Sequence, residues 1–146
     1  MDTKISNNIE KTFKLLDNSY SPYSNFRVAS SIISKQNTFY GGVNIENASY
    51  SLTACAERSA ICNAFSNGLK KEDIDYIIIV SDCTKNLLPC GACLQVFSEF
   101  INKDKIIIIA CFDKSKNNTF IRNDYKFKDL LPNVFNLWLI LKIYIK

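Results

Sequence analysis

The chain of 146 residues contains no histidine, and this absence excludes several kinds of active site. Without an imidazole there can be no Ser-His-Asp triad and no Cys-His nucleophile pair. Histidine is also the most common metal ligand in proteins. Six cysteines are present, so any metal that the protein binds must be held mainly by cysteine sulfur.

The sequence also lacks a hydrophobic run long enough to span a membrane as a helix. The longest apolar stretch near the end, residues 134–145, is interrupted by Lys142, whereas a transmembrane helix needs about 20 residues. The beginning, MDTKISNNIEKTFK, has charges and amides where a secretory signal needs an apolar core. We therefore expect a cytoplasmic protein that does not contact a membrane. In that reducing compartment, closely spaced cysteines are more often metal ligands or catalytic groups than disulfides.

Clustered basic residues, linkers and internal repeats are absent as well. The net charge is +4, from 18 basic and 14 acidic residues, but the lysines are scattered. A nucleic-acid-binding surface would need them to cluster, so we expect no nucleic-acid partner. With 47% apolar and 22% charged residues the composition is that of a globular protein. The length fits a single domain over residues 1–146.

The first half of the sequence predicts a helix followed by a hairpin. Apolar residues recur at helical spacing over residues 5–16, which indicates an amphipathic opening helix. Two β-type runs follow at 26–33 and 38–45. The residues between them, 34–37, are turn-forming, so the two runs form a hairpin.

The second half predicts helices that alternate with buried strands. A helix is expected over 53–67, with Thr53 as a possible cap and Gly68 as its stop. The runs at 74–80 and 106–111 are β-branched and almost wholly apolar, which is typical of strands buried on both faces.

Helical periodicity over 91–101 lies between these two strands and predicts a parallel crossover unit. Residues 119–122 can add a strand, and 127–131 a short helix that Pro132 ends. The order of elements therefore predicts an α/β fold.

Three of the six cysteines lie where predicted helices begin. Cys55 opens the segment CAER, and Cys90 and Cys93 belong to the segment PCGAC. A helix amino terminus has free N–H groups and a partial positive charge, which stabilise thiolates. Cys90 and Cys93 share one face of a first turn, so together with Cys55 they can supply three corners of a zinc tetrahedron. The fourth corner stays open for water, as in catalytic zinc sites.

Glu57 follows Cys55 by two residues and is not needed as a ligand. A carboxylate beside a metal-bound water can act as a proton shuttle. A ligand-x-Glu segment followed by Pro-Cys-x-x-Cys is the signature of zinc-dependent nucleoside and nucleobase deaminases. The spacing therefore predicts a catalytic zinc site with Glu57 as its acid and base.

Two other interpretations of the cysteines stay open at this point. A thioredoxin-type redox pair would use Cys90 and Cys93 and leave Cys55 and Glu57 without a role. A closed structural zinc would need a fourth ligand, for which the remaining cysteines are the candidates: Cys62, Cys83 and Cys111. The positions of Cys62 and Cys111 are those of small core residues, whereas Cys83 follows a strand and could reach the metal.

Several motifs in order resemble the cytidine deaminase family, specifically its small homotetrameric enzymes that act on free nucleosides. The likeness runs from residue 20 to about residue 135 and rests on the segments SPYSNF (21–26), NIENASY (44–50), CAER (55–58), PCGACLQ (89–95) and DLLP (129–132). The resemblance implies a three-layer α/β/α sandwich with a mixed five-stranded sheet. It also implies one zinc ion per chain, bound by Cys55, Cys90 and Cys93.

The resemblance assigns roles to further residues of the site. Asn44 and Glu46 are expected to hydrogen-bond the ribose hydroxyls, for which an amide and a carboxylate are suited. Phe26 is expected to pack against the pyrimidine, and Ala56 to contact the substrate. Arg58 would offset the negative charge that three thiolates leave on a divalent zinc.

Three further positions match residues that the family supplies to the pocket of a neighbouring subunit: Ala48, Tyr50 and Phe135. A homotetramer is therefore implied. The tail, residues 136–146, does not resemble family endings, and we predict that it packs at a subunit interface.

The reaction that these features predict is the hydrolytic deamination of cytidine and deoxycytidine to uridine and deoxyuridine in pyrimidine salvage. A zinc-activated hydroxide attacks C4 of the base, Glu57 shuttles the protons, and ammonia leaves. The alternatives are a deaminase of a related aminopyrimidine nucleoside and a non-catalytic zinc or redox module. A polynucleotide-editing enzyme is disfavoured, because no groove of clustered aromatic and basic residues is evident.

Overall fold

The computed structural model describes residues 3–112 and 119–136. Within these ranges five strands alternate with four α-helices, and short 3-10 turns lie at Leu15–Asn18, Tyr50–Leu52 and Lys71–Asp73. The elements in chain order are α1 (Thr3–Lys14), β1 (Val28–Ser34), β2 (Phe39–Val43), α2 (Ala56–Ser66), β3 (Ile74–Ser81), α3 (Gly91–Phe97), β4 (Ile106–Phe112), β5 (Phe120–Lys126) and α4 (Phe127–Leu130).

The strands form one mixed sheet in the order β2-β1-β3-β4-β5. Neighbouring strands are antiparallel except β3 and β4, which are parallel and are connected through α3. In this register Ser81, the last residue of β3, pairs with Cys111 on one side and with Val28 on the other. The carboxyl ends of β3 and β4 therefore meet at one edge of the sheet, next to the beginning of β1.

Helices cover both faces of the sheet, as the three-layer prediction requires. Side chains of α2, α3 and α4 pack with Ile77 and Ile79 of β3 in one apolar cluster. On the other face, α1 packs with Ile78 and Val80 of the same strand. Burial of one such side chain stabilises the fold by about 1.5–3 kcal/mol. The prediction that β3 and β4 are buried on both faces is confirmed.

Helix α2 lies unusually close to β2. A Cβ atom added at Gly42 would lie 2.2 Å from the backbone nitrogen of Ala60, so only glycine fits at this position. The close contact sets the height of α2 above the sheet and places its amino terminus at the edge where β3 and β4 end.

The sequence prediction is wrong about how α2 begins. Cys55, not Thr53, is the residue that precedes its first turn, with extended backbone angles of φ −71° and ψ 150°. Thr53 instead ends the 3-10 turn before it, and its hydroxyl accepts a hydrogen bond from the Asn47 N–H at 3.2 Å. The predicted stop is confirmed, because Gly68 adopts the left-handed φ of 82°.

Three further expectations differ from the structure. Helix α3 ends at Phe97 instead of residue 101, and strand β5 continues to Lys126 instead of ending at residue 122. Cys62, predicted as a core residue, is exposed because α2 packs on the sheet through the opposite face, which carries Ala60, Ile61 and Ala64. Cys111 is buried, as expected.

Within residues 3–112 and 119–136, no helix has the length and apolar character that crossing a membrane requires. The predicted subunit contact of the tail falls on residues 136–146, of which only Asn136 lies inside the described part of the chain.

Candidate active site

The three predicted zinc ligands lie together where α2 and α3 begin. The sulfur atoms of Cys55, Cys90 and Cys93 are all within 4.8 Å of one another. Cys55 precedes α2 and Cys90 precedes α3, and neither thiol caps the N–H groups of its own helix. The sulfurs are therefore directed toward one another, with two helix amino termini behind them.

The geometry of the three sulfurs fits a tetrahedral zinc ion. Zinc–sulfur bonds of about 2.3 Å in a tetrahedron place the sulfurs about 3.8 Å apart. The Cys90 and Cys93 sulfurs are 3.4 Å apart, and the Cys55 sulfur lies within 4.8 Å of both. The other cysteines, Cys62, Cys83 and Cys111, are described by the structure and are not members of this cluster. A closed four-cysteine site, including the alternative that used Cys83, therefore has no support in the fold.

One thiol of the cluster, that of Cys55, has a lowered pKa. A hydrogen bond from Cys93, together with the smaller effect of Arg58, lowers the pKa of Cys55 to about 5. The same hydrogen bond raises the pKa of Cys93. Nη2 of Arg58 lies 4.0 Å from the Cys55 sulfur and donates a hydrogen bond to the Thr53 carbonyl oxygen at 2.6 Å. Arg58 therefore lies where it can offset thiolate charge.

Glu57 lies in the first turn of α2 and is only 5% exposed. Burial raises the pKa of its carboxyl group, and the nearby charge of Cys55 raises it further. A carboxylate whose pKa is raised is a stronger base and holds a proton more readily than an exposed one. Because the sequence contains no histidine, Glu57 is the residue of this site that is suited to general acid and base chemistry.

A cavity of about 250 Å³ opens beside the cysteines and Glu57. Its walls come from the segment before β1, from the ends of β3 and β4, and from residues 87–90. The side chains that line it are Phe26, Val28, Asn44, Thr53, Cys55, Ala56, Glu57, Ile79, Val80, Ser81, Leu87, Leu88, Pro89, Cys90, Ile109 and Ala110. A cavity that is mainly apolar and has a few polar groups is typical of a small-molecule site.

The apolar wall of the cavity was not predicted from the sequence. Leu87 and Leu88 have no motif of their own, and Ile79 and Ile109 read as ordinary strand residues. One signal was available. Pockets in α/β sheets form outside the carboxyl ends of parallel strands, and β3 and β4 are parallel.

Phe26 and Asn44 both line the cavity, and the amide of Asn44 holds the backbone around Phe26. Its Nδ2 donates to the Phe26 carbonyl oxygen at 2.9 Å, and its Oδ1 accepts from the Val28 N–H at 2.9 Å. The Ser19 hydroxyl donates to the same Oδ1 at 2.5 Å. Asn44 is 7% exposed, so these contacts fix its side chain at the cavity wall.

Glu46 does not line the cavity within one chain. Its carboxylate accepts hydrogen bonds from the N–H groups of Tyr23 and Ser24, at 3.0 and 3.1 Å, and from the Ser24 hydroxyl. The Ser24 hydroxyl is the main cause of the lowered pKa of this carboxyl group. The expected contact of Glu46 with a ribose stays a prediction. Ala56, in contrast, lies at the cavity wall.

The three residues assigned to a neighbouring pocket are exposed and lie outside the cavity of their own chain: Ala48, Tyr50 and Phe135. Tyr50 is 72% exposed and its ring lies 6.3 Å from the ring of Tyr23. Phe135 is 61% exposed, and its carbonyl oxygen accepts a hydrogen bond from Gln95 of α3 at 3.0 Å. All three are therefore accessible to a second chain.

Comparison with known proteins points to one family. Residues 2–110 match the family model described as the cytidine and deoxycytidylate deaminase zinc-binding region. The chain is 41% identical over 96 residues to a cytidine deaminase of Halalkalibacterium halodurans, covering 66% of this chain and 71% of that protein. It is 36% identical over 128 residues to a cytidine deaminase of Mycoplasma genitalium, covering 87% and 92%.

Solved structures agree with the sequence comparison. The fold superimposes on a cytidine deaminase from Burkholderia pseudomallei with a TM-score of 0.80 and 30% identity, covering 89% of this chain and 98% of the other. A cytidine deaminase from Mycobacterium tuberculosis gives a TM-score of 0.73 at 26% identity, covering 92% and 99%.

Proposed function

The chain belongs to the cytidine and deoxycytidylate deaminase family, and from this membership we propose that it hydrolyses cytidine to uridine and ammonia, and deoxycytidine likewise. The observation that carries the proposal is the shared cavity. Cys55 and Cys90 of the three-cysteine cluster line it together with the buried carboxyl group of Glu57. A redox pair would need neither Cys55 nor Glu57.

Zinc is the cofactor that fits this site, since the donors are three sulfurs at tetrahedral spacing and one of them has a lowered pKa. Cys55, Cys90 and Cys93 would hold the ion. When bound, zinc supplies a water molecule whose pKa is low enough for it to act as a nucleophile at neutral pH.

Glu57 carries the protons of the reaction. It accepts one proton from the attacking water and delivers it to N3 of the cytosine ring. It then takes the second proton from the hydroxyl group now bonded to C4 and transfers it to the departing amine, so that the C4–N bond breaks, ammonia leaves and the C4 carbonyl of uridine forms. Its burial and raised pKa support this double role, because the carboxyl group must hold a proton between the two transfers.

The walls of the cavity bind and orient the nucleoside. Phe26 packs against the pyrimidine, and the Ala56 backbone region contacts the base beside it. Asn44 and Glu46 hydrogen-bond the ribose hydroxyls. The position of Phe26, Ala56 and Asn44 at the cavity wall supports their roles, and Glu46 is two residues beyond Asn44.

Arg58 balances the charge of the metal site. Three thiolates on a divalent cation leave one net negative charge, which opposes the acidification of water. The distance of 4.0 Å between the Arg58 guanidinium and the Cys55 sulfur supports a charge-compensating role.

Assembly into a homotetramer completes the pocket, with Ala48, Tyr50 and Phe135 reaching a neighbouring subunit. The exposure of Tyr50 and Phe135 supports this assembly, since both side chains are accessible to a second chain. The six cysteines are all free, which supports a reducing, cytoplasmic location.

The proposed function is tested by product analysis. Purified zinc-loaded protein is expected to release one ammonia for each cytidine consumed, and to form uridine in equal amount. Incubation with adenosine serves as the control and is expected to release none. A protein that binds one zinc per chain and yet releases no ammonia from cytidine or deoxycytidine would contradict the proposal.

A further inference from the structure

Arg27 and Asp82 form an ion pair that joins two walls of the substrate cavity. Nε of Arg27 lies 3.1 Å from Oδ2 of Asp82. Arg27 directly follows Phe26 and Asp82 directly follows Ser81, and both of those neighbours line the cavity. The pair therefore connects the segment that carries the aromatic ring with the carboxyl end of β3.

The contact between these two residues extends to their backbones. The Asp82 N–H donates to the Arg27 carbonyl oxygen at 3.3 Å, and the Arg27 N–H donates to Oδ2 of Asp82 at 3.4 Å. One carboxylate oxygen thus receives both the guanidinium and the backbone N–H of the same residue. Because the backbone and the side chain of Arg27 are both held, the backbone next to Phe26 is fixed, and with it the direction of the Phe26 side chain.

Asn44, at the cavity wall, holds the peptide unit between Phe26 and Arg27 from its carbonyl end. Nδ2 of Asn44 donates to the Phe26 carbonyl oxygen at 2.9 Å, while the N–H of the same unit donates to Asp82. On the other side of the residue, the Phe26 N–H donates to the Ser24 hydroxyl at 3.0 Å. The ring itself is only half-buried, so its own packing does not immobilise it.

Asp82 also begins the connection between β3 and α3, which supplies further residues of the cavity lining. Leu87 and Leu88 of this connection line the cavity, although 43% and 57% of their surfaces are exposed. Asp82 therefore links the segment that carries Phe26 to the connection that carries Leu87 and Leu88. A third group, Asp17, contacts Arg27 at 3.2 Å but is 84% exposed, so it adds less.

We propose that Arg27, held by Asp82, is a positioning residue that sets the Phe26 ring against the pyrimidine of the substrate. The inference rests on the proposed function, in which Phe26 packs on the base. Cytidine is uncharged, so Arg27 cannot act by attracting the substrate. Its effect must pass through the cavity wall, and it therefore alters binding of the nucleoside more than the proton transfers at Glu57.

Steady-state kinetics of Arg27→Ala with cytidine test the proposal. We expect KM to rise about two- to fivefold, the range that loss of a partly exposed ion pair produces, while kcat stays within about twofold. The dissociation constant of the product uridine, measured by calorimetry, is expected to rise by the same factor. Arg27→Lys keeps the charge next to Asp82 and is expected to restore most of the loss.

Arg122→Ala is the matched control, because it also removes a partly exposed Arg–Asp ion pair, here with Asp124 on β5. Neither residue lines the substrate cavity, so KM is expected to stay unchanged. If Arg27→Ala does not fold, Asp82→Asn replaces it, since the amide keeps the size and the acceptor oxygen but loses the charge. It is expected to raise KM in the same direction.

Two outcomes overturn the inference while leaving the proposed function intact. One is an unchanged KM and unchanged uridine binding in Arg27→Ala or its replacement. The other is a fall in kcat with KM constant, which would assign Arg27 to the chemical step. Failure of the wild-type protein to bind uridine or to convert cytidine would instead contradict the proposed function.

Discussion

The sulfur atoms of Cys90 and Cys93 lie 3.4 Å apart at the beginning of α3. Their separation of three residues places both on one side of a single turn, and α2 brings the third sulfur, that of Cys55, to within 4.8 Å. Three thiols at two helix amino termini thus offer the metal ligands that histidines supply in other proteins. In the proposed function the metal is held by sulfur alone, and proton transfer is assigned to Glu57, which is buried beside the cluster.

Loss of one ligand is expected to abolish the metal site. Cys90→Ala should retain less than about a tenth of the zinc of the wild type, because two thiolates cannot complete the tetrahedral set. Zinc content by atomic absorption and cytidine turnover measure the effect together. Cys62→Ala is the control, since Cys62 is exposed and lies outside the cluster. Equal zinc content in the two variants would disprove the ligand assignment.

Ionisation of the cluster can be followed in zinc-free protein. The pKa of Cys55 is lowered to about 5 by hydrogen bonding to Cys93 and by Arg58. A lowered pKa means that the thiol is deprotonated at neutral pH, so the folded protein should show the ultraviolet absorbance of a thiolate and lose it as pH falls through about 5. Cys55→Ser should remove this titration, and Cys62→Ser should preserve it. A neutral-pH spectrum without thiolate absorbance would contradict the arrangement.

The closeness of α2 and β2 predicts a steric requirement for glycine. Gly42→Ala should destabilise the protein by about 1–3 kcal/mol, because the new methyl group meets the backbone of Ala60 and must push α2 away. Since Cys55 moves with α2, zinc affinity should fall as well. Urea unfolding measures the first effect and competition with a chelator the second.

Gly91→Ala provides the comparison for Gly42→Ala. A Cβ atom at Gly91 would meet nothing within 4 Å, so the change in free energy of unfolding should stay within about 0.5 kcal/mol. If the two alanine variants unfold at the same urea concentration, the close packing of α2 on β2 does not limit stability.

The elements with strong hydrophobic patterns were predictable from the sequence. The apolar runs of β3 and β4 identify strands buried on both faces, and the crossover between them fixes their parallel pairing. The ligand spacing of CAER and PCGAC predicts the three cysteines that the structure brings together. These patterns are local in the sequence, so they can be interpreted without the tertiary structure.

Features that depend on tertiary contacts were not predictable in the same way. Helix α2 begins at Ala56 because Cys55 is held extended beside the other sulfurs, which overrides the better capping propensity of Thr53. Strand β5 continues to Lys126 because β4 offers partners along its whole length, although the β5 sequence alternates only weakly. Leu87 and Leu88, which line the cavity, lie in a connection without regular structure, so no periodicity of the sequence predicts their position.

Proton transfer by Glu57 is tested most directly by the turnover of cytidine by zinc-loaded Glu57→Gln. Glutamine has nearly the same shape as glutamate but cannot carry a proton between water, N3 and the leaving amine. This variant is expected to keep one zinc per chain and to bind uridine, while kcat falls at least about a hundredfold. A variant with full zinc content and a kcat close to that of the wild type would contradict the central claim that Glu57 carries the protons.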